Sequence, residues 1–208
     1  MLSRRQMIYG LALIGLSACK DKAGQFQETG GMMGNLDQYP IEDLNRWEQA
    51  GILQLREEEK LARDVYTTLD AKWGLRAFGM IKNAEQRHMD AMAKLINRYD
   101  LLDPAKSQVG AFTDPKMQSL YETLVGQGER SSLDALGVGM TVEDLDIYDI
   151  DQVLLNNDNQ DIALVFGNLR QGSVMHMRRF YSDLKVSGGN YTPKYITQAQ
   201  FDGIVSGI

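Results

Sequence analysis

Residues 77–99, AFGMIKNAEQRHMDAMAKLINRY, carry apolar side chains at alternating steps of three and four: Phe78, Ile81, Met92, Leu95 and Tyr99. That spacing predicts an amphipathic helix with one buried face. The six residues at its centre, Asn83-Ala84-Glu85-Gln86-Arg87-His88, place Glu85 and His88 on the same stripe. A carboxylate and an imidazole therefore point where the hydrophobic residues point.

Three more long segments show the same pattern with the same interruption. A helix over roughly 48–72 has the stripe Ile52, Leu55, Glu59, Ala62, Tyr66, Leu69 and Trp73. Ser131, with Asp134 three residues on, resembles a capping box that opens a helix to about Leu155, whose stripe is Leu136, Met140, Glu143, Ile147, Ile150 and Leu154. The last long helix starts near Asn157-Asp158, runs to about Lys185 and aligns Ile162, Phe166, Leu169, Ser173, His176 and Phe180. Asp114-Pro115 reads as an N-cap with proline in the first turn of a short helix to about Gln127, with Gly126 and Gly128 expected to close it. Thr197 and Gln200 suggest a capped helix in the tail. Period-2 runs are nearly absent, so residues 41–208 are expected to form an all-α domain. Its simplest form is a four-helix bundle with a short extra helix in the long connection between the second and third long helices.

The interrupting set is Glu59, Glu85, His88, Glu143, Ser173 and His176, and it includes both histidines of the chain. Burying one unpaired carboxylate costs several kcal/mol, so converging acids must take up protons or recruit cations. A pair of divalent metals also accounts for the imidazoles, and Glu-x-x-His sets an oxygen and a nitrogen donor one turn apart on one helix face. Mixed carboxylate and imidazole donors suit iron or manganese and admit zinc. A rotation of the first helix by part of a turn would exchange Glu58 for Glu59. Arg63, Arg87 and Arg170 offer a metal-free alternative as ion-pair partners of the acids. Met175 and Met177 point about 200° apart on a helix, so they cannot both join His176 around copper. Tyr66 is expected to pack with its hydroxyl hydrogen-bonded, and Asp158 and Asp161 to favour the N-terminal dipole of the last long helix.

The order Glu59, then Glu85-Gln-Arg-His88, then Glu143, then Ser173-Val-Met-His176 resembles the ferritin-like superfamily of di-iron carboxylate bundles, whose pattern is Glu, Glu-x-x-His, Glu, Glu-x-x-His. Glu59-Lys-Leu-Ala62-Arg63-Asp-Val-Tyr66 is similar to the first helix of rubrerythrins. More narrowly, EEEKLARDVY, AEQRHMDA, EDLDIYDI and NLRQGSVMHMRRF resemble the family catalogued as domain of unknown function 2202. The resemblance implies a dimetal site, most simply di-iron, with Mn or Zn as alternatives, held by Glu59, Glu85, His88, Glu143 and His176. Ser173 departs from the pattern, since the template holds a fourth carboxylate there. Asp146, one turn beyond Glu143, is the residue expected to restore that charge.

The first 40 residues are set apart. Arg4-Arg5, the apolar run Met7–Leu16 and Leu16-Ser17-Ala18-Cys19 read as an export signal over residues 1–18, ending in a lipobox that would lipidate Cys19. Cys19 is the chain's single cysteine. Residues 19–40, containing Gly30-Gly-Met-Met-Gly34, read as a flexible tether. The expected location is the bacterial cell envelope, extracytoplasmic and membrane-anchored through the N-terminal lipid. The net charge of −6 falls to about −8 when Arg4 and Arg5 leave with residues 1–18, which argues against nucleic acid as a partner. Nucleotide-loop, HExxH and CxxC patterns are absent. The expectation is thus a lipid-anchored bundle with a di-iron or similar centre and an oxidase, peroxidase or metal-handling role, served by a separate electron donor and compatible with a homodimer. Its rival is a metal-free envelope module that binds a protein partner.

Overall fold

The computed structural model of the chain describes residues 36–206, so the expected export segment, Cys19 and most of the tether lie outside the described residues. Within them, a short 3-10 turn at Leu36–Gln38 precedes six helices: α1 (Arg46–Trp73), α2 (Arg76–Arg98), α3 (Pro115–Gly128), α4 (Ser132–Leu154), α5 (Gln160–Val186) and α6 (Gln198–Val205). No strand occurs among the described residues, and the expected all-α bundle is the observed architecture.

Local chemistry sets the helix ends. Asn45 and Glu48 form a full capping box at α1, and Gly74, at φ 61°, ends that helix in a left-handed turn with its N–H on the Asp70 carbonyl. Asp114 caps α3, Ser131 caps α4, and Thr197 with Gln200 boxes α6, as the spacing predicts. Gly126 and Gly128 do not close α3 as expected. Gly126 lies inside the helix and Glu129 follows Gly128 in right-handed geometry. Gly128 is instead a packing residue, because a Cβ there would meet the Leu69 side chain at 2.7 Å, and its carbonyl accepts the Trp73 indole N–H at 2.9 Å.

Helices α1 and α2 pack as one pair and α4 and α5 as the other, while α1 against α4 and α2 against α5 complete the ring. Helix α3 lies across α1 and α4 within the connection from α2 to α4. The core is two separate apolar clusters. One surrounds Tyr66, whose ring meets Phe78 and Phe180 at 5.6 and 5.1 Å between centroids, with Leu69, Met140 and Met177. The other gathers Ile52, Leu55, Met92, Leu95, Phe166 and Leu169. The polar positions of all four stripes fall between the two, so the bundle is capped above and below by water-excluding layers.

The long connection is pinned to α1 by buried charge. Fully buried Lys60 pairs with fully buried Asp64, donates to the Gln108 carbonyl at 2.8 Å and lies 4.4 Å from the Phe112 ring centroid. Asp64 also accepts from Arg63 and from the Gly110 N–H. Asp64→Ala leaves the Lys60 ammonium buried without its carboxylate and should lower unfolding free energy by about 3–5 kcal/mol, measured by urea denaturation. A loss under about 1 kcal/mol would show that the pair does not hold this connection.

Candidate metal centre

Each long helix brings its polar interruption to one level of the bundle. Glu59 on α1, Glu85 and His88 on α2, Glu143 on α4, and Ser173 and His176 on α5 are all buried. His88 Nδ1 lies 3.1 Å from Glu59 Oε2 and 2.8 Å from Glu85 Oε2. His176 Nδ1 lies 2.8 Å from Glu85 Oε1 and 3.7 Å from Glu143 Oε2. The two imidazoles stack with centroids 5.4 Å apart. Two trios result, Glu59-Glu85-His88 and Glu85-Glu143-His176, and within each the donor atoms lie within 4.8 Å of one another. Glu85 belongs to both.

The sequence left Glu58 and Glu59 as alternatives, and it is Glu59 that faces His88. Glu58 is buried on a neighbouring face and accepts from Gln54 at 2.8 Å. Two of the three arginines of the metal-free alternative have other carboxylate partners: Arg63 is engaged by Asp64 and Gln86, and Arg170 by Asp151. Asp161 is more than a dipole acid, since it is fully buried and accepts from Arg98 at 2.7 Å and Tyr99 at 2.8 Å. Tyr66 packs and hydrogen-bonds as expected, and its acceptor is Glu143 Oε1 at 2.5 Å.

At the departure from the ferritin-like pattern, the Ser173 hydroxyl donates to Asp146 Oδ2 and to the Leu169 carbonyl. Asp146 itself is buried, and its Oδ1 has no hydrogen-bond partner among the described residues. Asp146 lies outside the two trios yet within electrostatic reach of Glu59 and Glu143.

The matching family model covers residues 48–208 and is described as an uncharacterized protein domain, DUF2202. The chain belongs to that family. An uncharacterized protein of Methanocaldococcus jannaschii, MJ0754, is 44% identical to it over 176 residues, which span 84% of this chain and 95% of the relative. The crystal structure of hypothetical protein MJ0754 from Methanococcus jannaschii DSM 2661 aligns with a TM-score of 0.79 at 45% identity, covering 81% of this chain and 97% of that one.

In this DUF2202 domain the charges of the centre are strongly coupled. Burial raises Glu59 to about 7, with Glu85 adding to the rise and His88 opposing it. Burial likewise raises Glu143 to about 7, reinforced by Glu85 and opposed by His176. Glu85 goes the other way: burial would raise it, but the two imidazoles outweigh burial and hold it well below the carboxylate range. Burial disfavours the imidazolium of His176, yet Glu85 and Glu143 hold its pKa up to about 10. His88 is raised in the same manner by Glu59 and Glu85. Burial, then Glu59 and Glu143, pushes Asp146 well up.

Side-chain and backbone partners leave part of this set unsatisfied. Glu59 Oε1, Glu85 Oε1, His88 Nε2, Asp146 Oδ1 and His176 Nδ1 are all buried with no hydrogen-bond partner among the described residues. His176 Nδ1 and Glu85 Oε1 are only 2.8 Å apart, but they are out of line for a hydrogen bond. Unpaired buried donors and acceptors are expensive, and a cation shared among them removes the expense.

Sequence reasoning missed Gly172. A Cβ at that position would lie 2.5 Å from His88 Nε2, so α5 needs glycine there to admit the ring. The signal in the sequence is only its place beside Ser173 on the buried face. Gly172→Ala should displace the His88 ring and lower stability by about 1–3 kcal/mol, read by thermal melting of the metal-free protein. A variant as stable as the parent would mean that the ring has room to move.

Proposed function

We propose that this domain binds a pair of divalent transition-metal ions, most simply iron, with manganese or zinc as alternatives, between α1, α2, α4 and α5. The observation that carries the proposal is the pair of buried donor trios joined at Glu85, several of whose atoms have no hydrogen-bond partner. Glu85 would be shared by two ions, with Glu59 and His88 completing one set and Glu143 and His176 the other. Asp146 brings the acids to four, which matches the charge of two divalent ions and supplies what Ser173 lacks. Bound iron or manganese would supply redox chemistry toward O₂ or peroxide, whereas zinc would supply Lewis acidity alone.

The chain's own groups do the remaining work. The Tyr66 hydroxyl orients Glu143 through Oε1 and leaves Oε2 on the side of His176. Ser173 orients Asp146. The aromatic cluster on one side and the Phe166 cluster on the other keep bulk water from the acids, which strengthens every electrostatic interaction between them. An oxidase, peroxidase or metal-handling role follows from such a site, with electrons from a separate donor, because Cys19 is the chain's one cysteine and no rubredoxin-type centre can form. The N-terminal sequence supports placing this domain in the bacterial cell envelope on a lipid tether at Cys19.

Ligands bound by the native state alone stabilise it by mass action, by about 2.7 kcal/mol at a hundredfold excess over Kd. Adding Fe(II), Mn(II) or Zn(II) to metal-free protein should therefore raise its melting temperature by roughly 5–10 °C for a domain of this size. Glu85→Ala combined with His88→Ala should abolish the rise. A melting temperature of the unsubstituted protein that ignores all three metals sinks the proposal.

A further inference from the structure

Helix α4 carries three acids at successive steps of three: Glu143, Asp146 and Asp149. Their exposure grades from the centre outward, with Glu143 at 1%, Asp146 at 7% and Asp149 half-buried, beside exposed Tyr148. Across from them, α1 presents Glu58 next to Glu59, and Glu58 and Asp149 are within electrostatic reach of each other. Two acids thus neighbour each other on the outer flank of the centre. Glu58 is 4% exposed, and its Oε2 has no hydrogen-bond partner. Asp146 Oδ1, the next acid oxygen inward, is also buried and unpartnered.

Away from the centre, buried Asp64 and Asp161 are answered by basic side chains and Glu48, Glu57 and Asp144 by backbone N–H groups. Here, among the described residues, no Lys, Arg or His side chain forms an ion pair with Glu58, Asp146 or Asp149. The groups bonded to them are the Gln54 amide on Glu58 Oε1 and the Ser173 hydroxyl on Asp146, and the Tyr195 phenol is within electrostatic reach of Asp149 and Glu58. None of the three carries positive charge to offset the acids.

We propose that Asp149 and Glu58 form an entry site for divalent cations, from which a cation passes by Asp146 to the buried centre. The inference rests on the metal-binding reading of that centre and deepens it. A half-exposed carboxylate captures the hydrated ion, and a buried one with a free oxygen replaces part of its water. Asp146, held by Ser173 through one oxygen, offers the other as the next ligand. Clustered charge of one sign raises local counter-ion concentration and on-rates, by about 10- to 1000-fold where the field is focused, and the gain is salt-sensitive.

The probe is Co(II) alone, mixed with metal-free full-length protein and followed by its visible absorption in stopped flow. Asp149→Asn and Glu58→Gln should each slow filling by about tenfold or more, while the final absorption per chain stays at the parent value. Asp149→Lys should slow it further, and added salt should narrow that difference. Asp149 is half-buried, so its two variants should melt, metal-free, close to the parent and serve as the fold control for Glu58→Gln. Filling at the parent rate in all three variants overturns the entry site, as does a loss of final absorption in step with the rate, which would make these acids part of the centre. Failure of the centre is separately visible: the unsubstituted protein would then develop no Co(II) absorption, and the entry site would fall with it.

Discussion

Glu85 lies between two imidazoles in the middle of the bundle, and the rest of the structure can be understood from that position. One carboxylate oxygen faces His88 and the other faces His176, each 2.8 Å from an imidazole nitrogen. A dry layer with that much charge tolerates no slack. Gly172 must lack a side chain to admit His88, Tyr66 must hold Glu143, and Ser173 must hold Asp146. Aromatic and aliphatic layers on either side then deny the charges the solvent that would weaken their coupling.

Other buried acids show how this fold treats a carboxylate with a purely structural task. Glu48 accepts from the backbone N–H groups of Asn45, Asp158 and Asn159, tying the start of α1 to the α4–α5 loop. Glu57 accepts from Thr113 and Asp114 at the head of α3. Asp144 gathers the Tyr191 hydroxyl and the N–H groups of Lys194, Tyr195 and Ile196, which fixes the tail before α6. Each is satisfied by groups that have no other role. The central acids differ because they are gathered against one another, with mutual repulsion and unpartnered oxygens, and folding alone offers no reason to accept that cost.

Much of this was legible in the sequence. Helical periodicity placed the four long helices, because an apolar stripe of period 3.6 has one way to be buried, and capping residues placed the two short ones. The same stripes named Glu59, Glu85, His88, Glu143 and His176, since a polar residue on a buried face is an exception that spacing alone detects. Less was legible where two spacings compete. Glu58 and Glu59 differ by 100° of helix rotation, about a quarter turn, which the stripe could not resolve. Gly126 and Gly128 suggested a helix end because glycine favours left-handed turns, yet Gly128 serves the approach of Leu69, a contact between residues far apart in the chain. Arg63 and Arg170 stood near enough to the acids in sequence to neutralise them, but each had a closer carboxylate in space.

What the sequence determined by itself was the inventory: which helices form, where they begin, which faces are apolar and which polar side chains must go inside with them. Those are consequences of local backbone geometry and of the hydrophobic effect acting along one helix at a time. The tertiary structure decided the partnerships. That Glu85 is shared by both histidines, that Asp146 answers Ser173, and that Glu59 rather than Glu58 meets His88 follow from the rotation and register of helices packed in three dimensions. Ångström-scale distances between charges, which set whether they bind a base, a proton or a metal, are fixed only there.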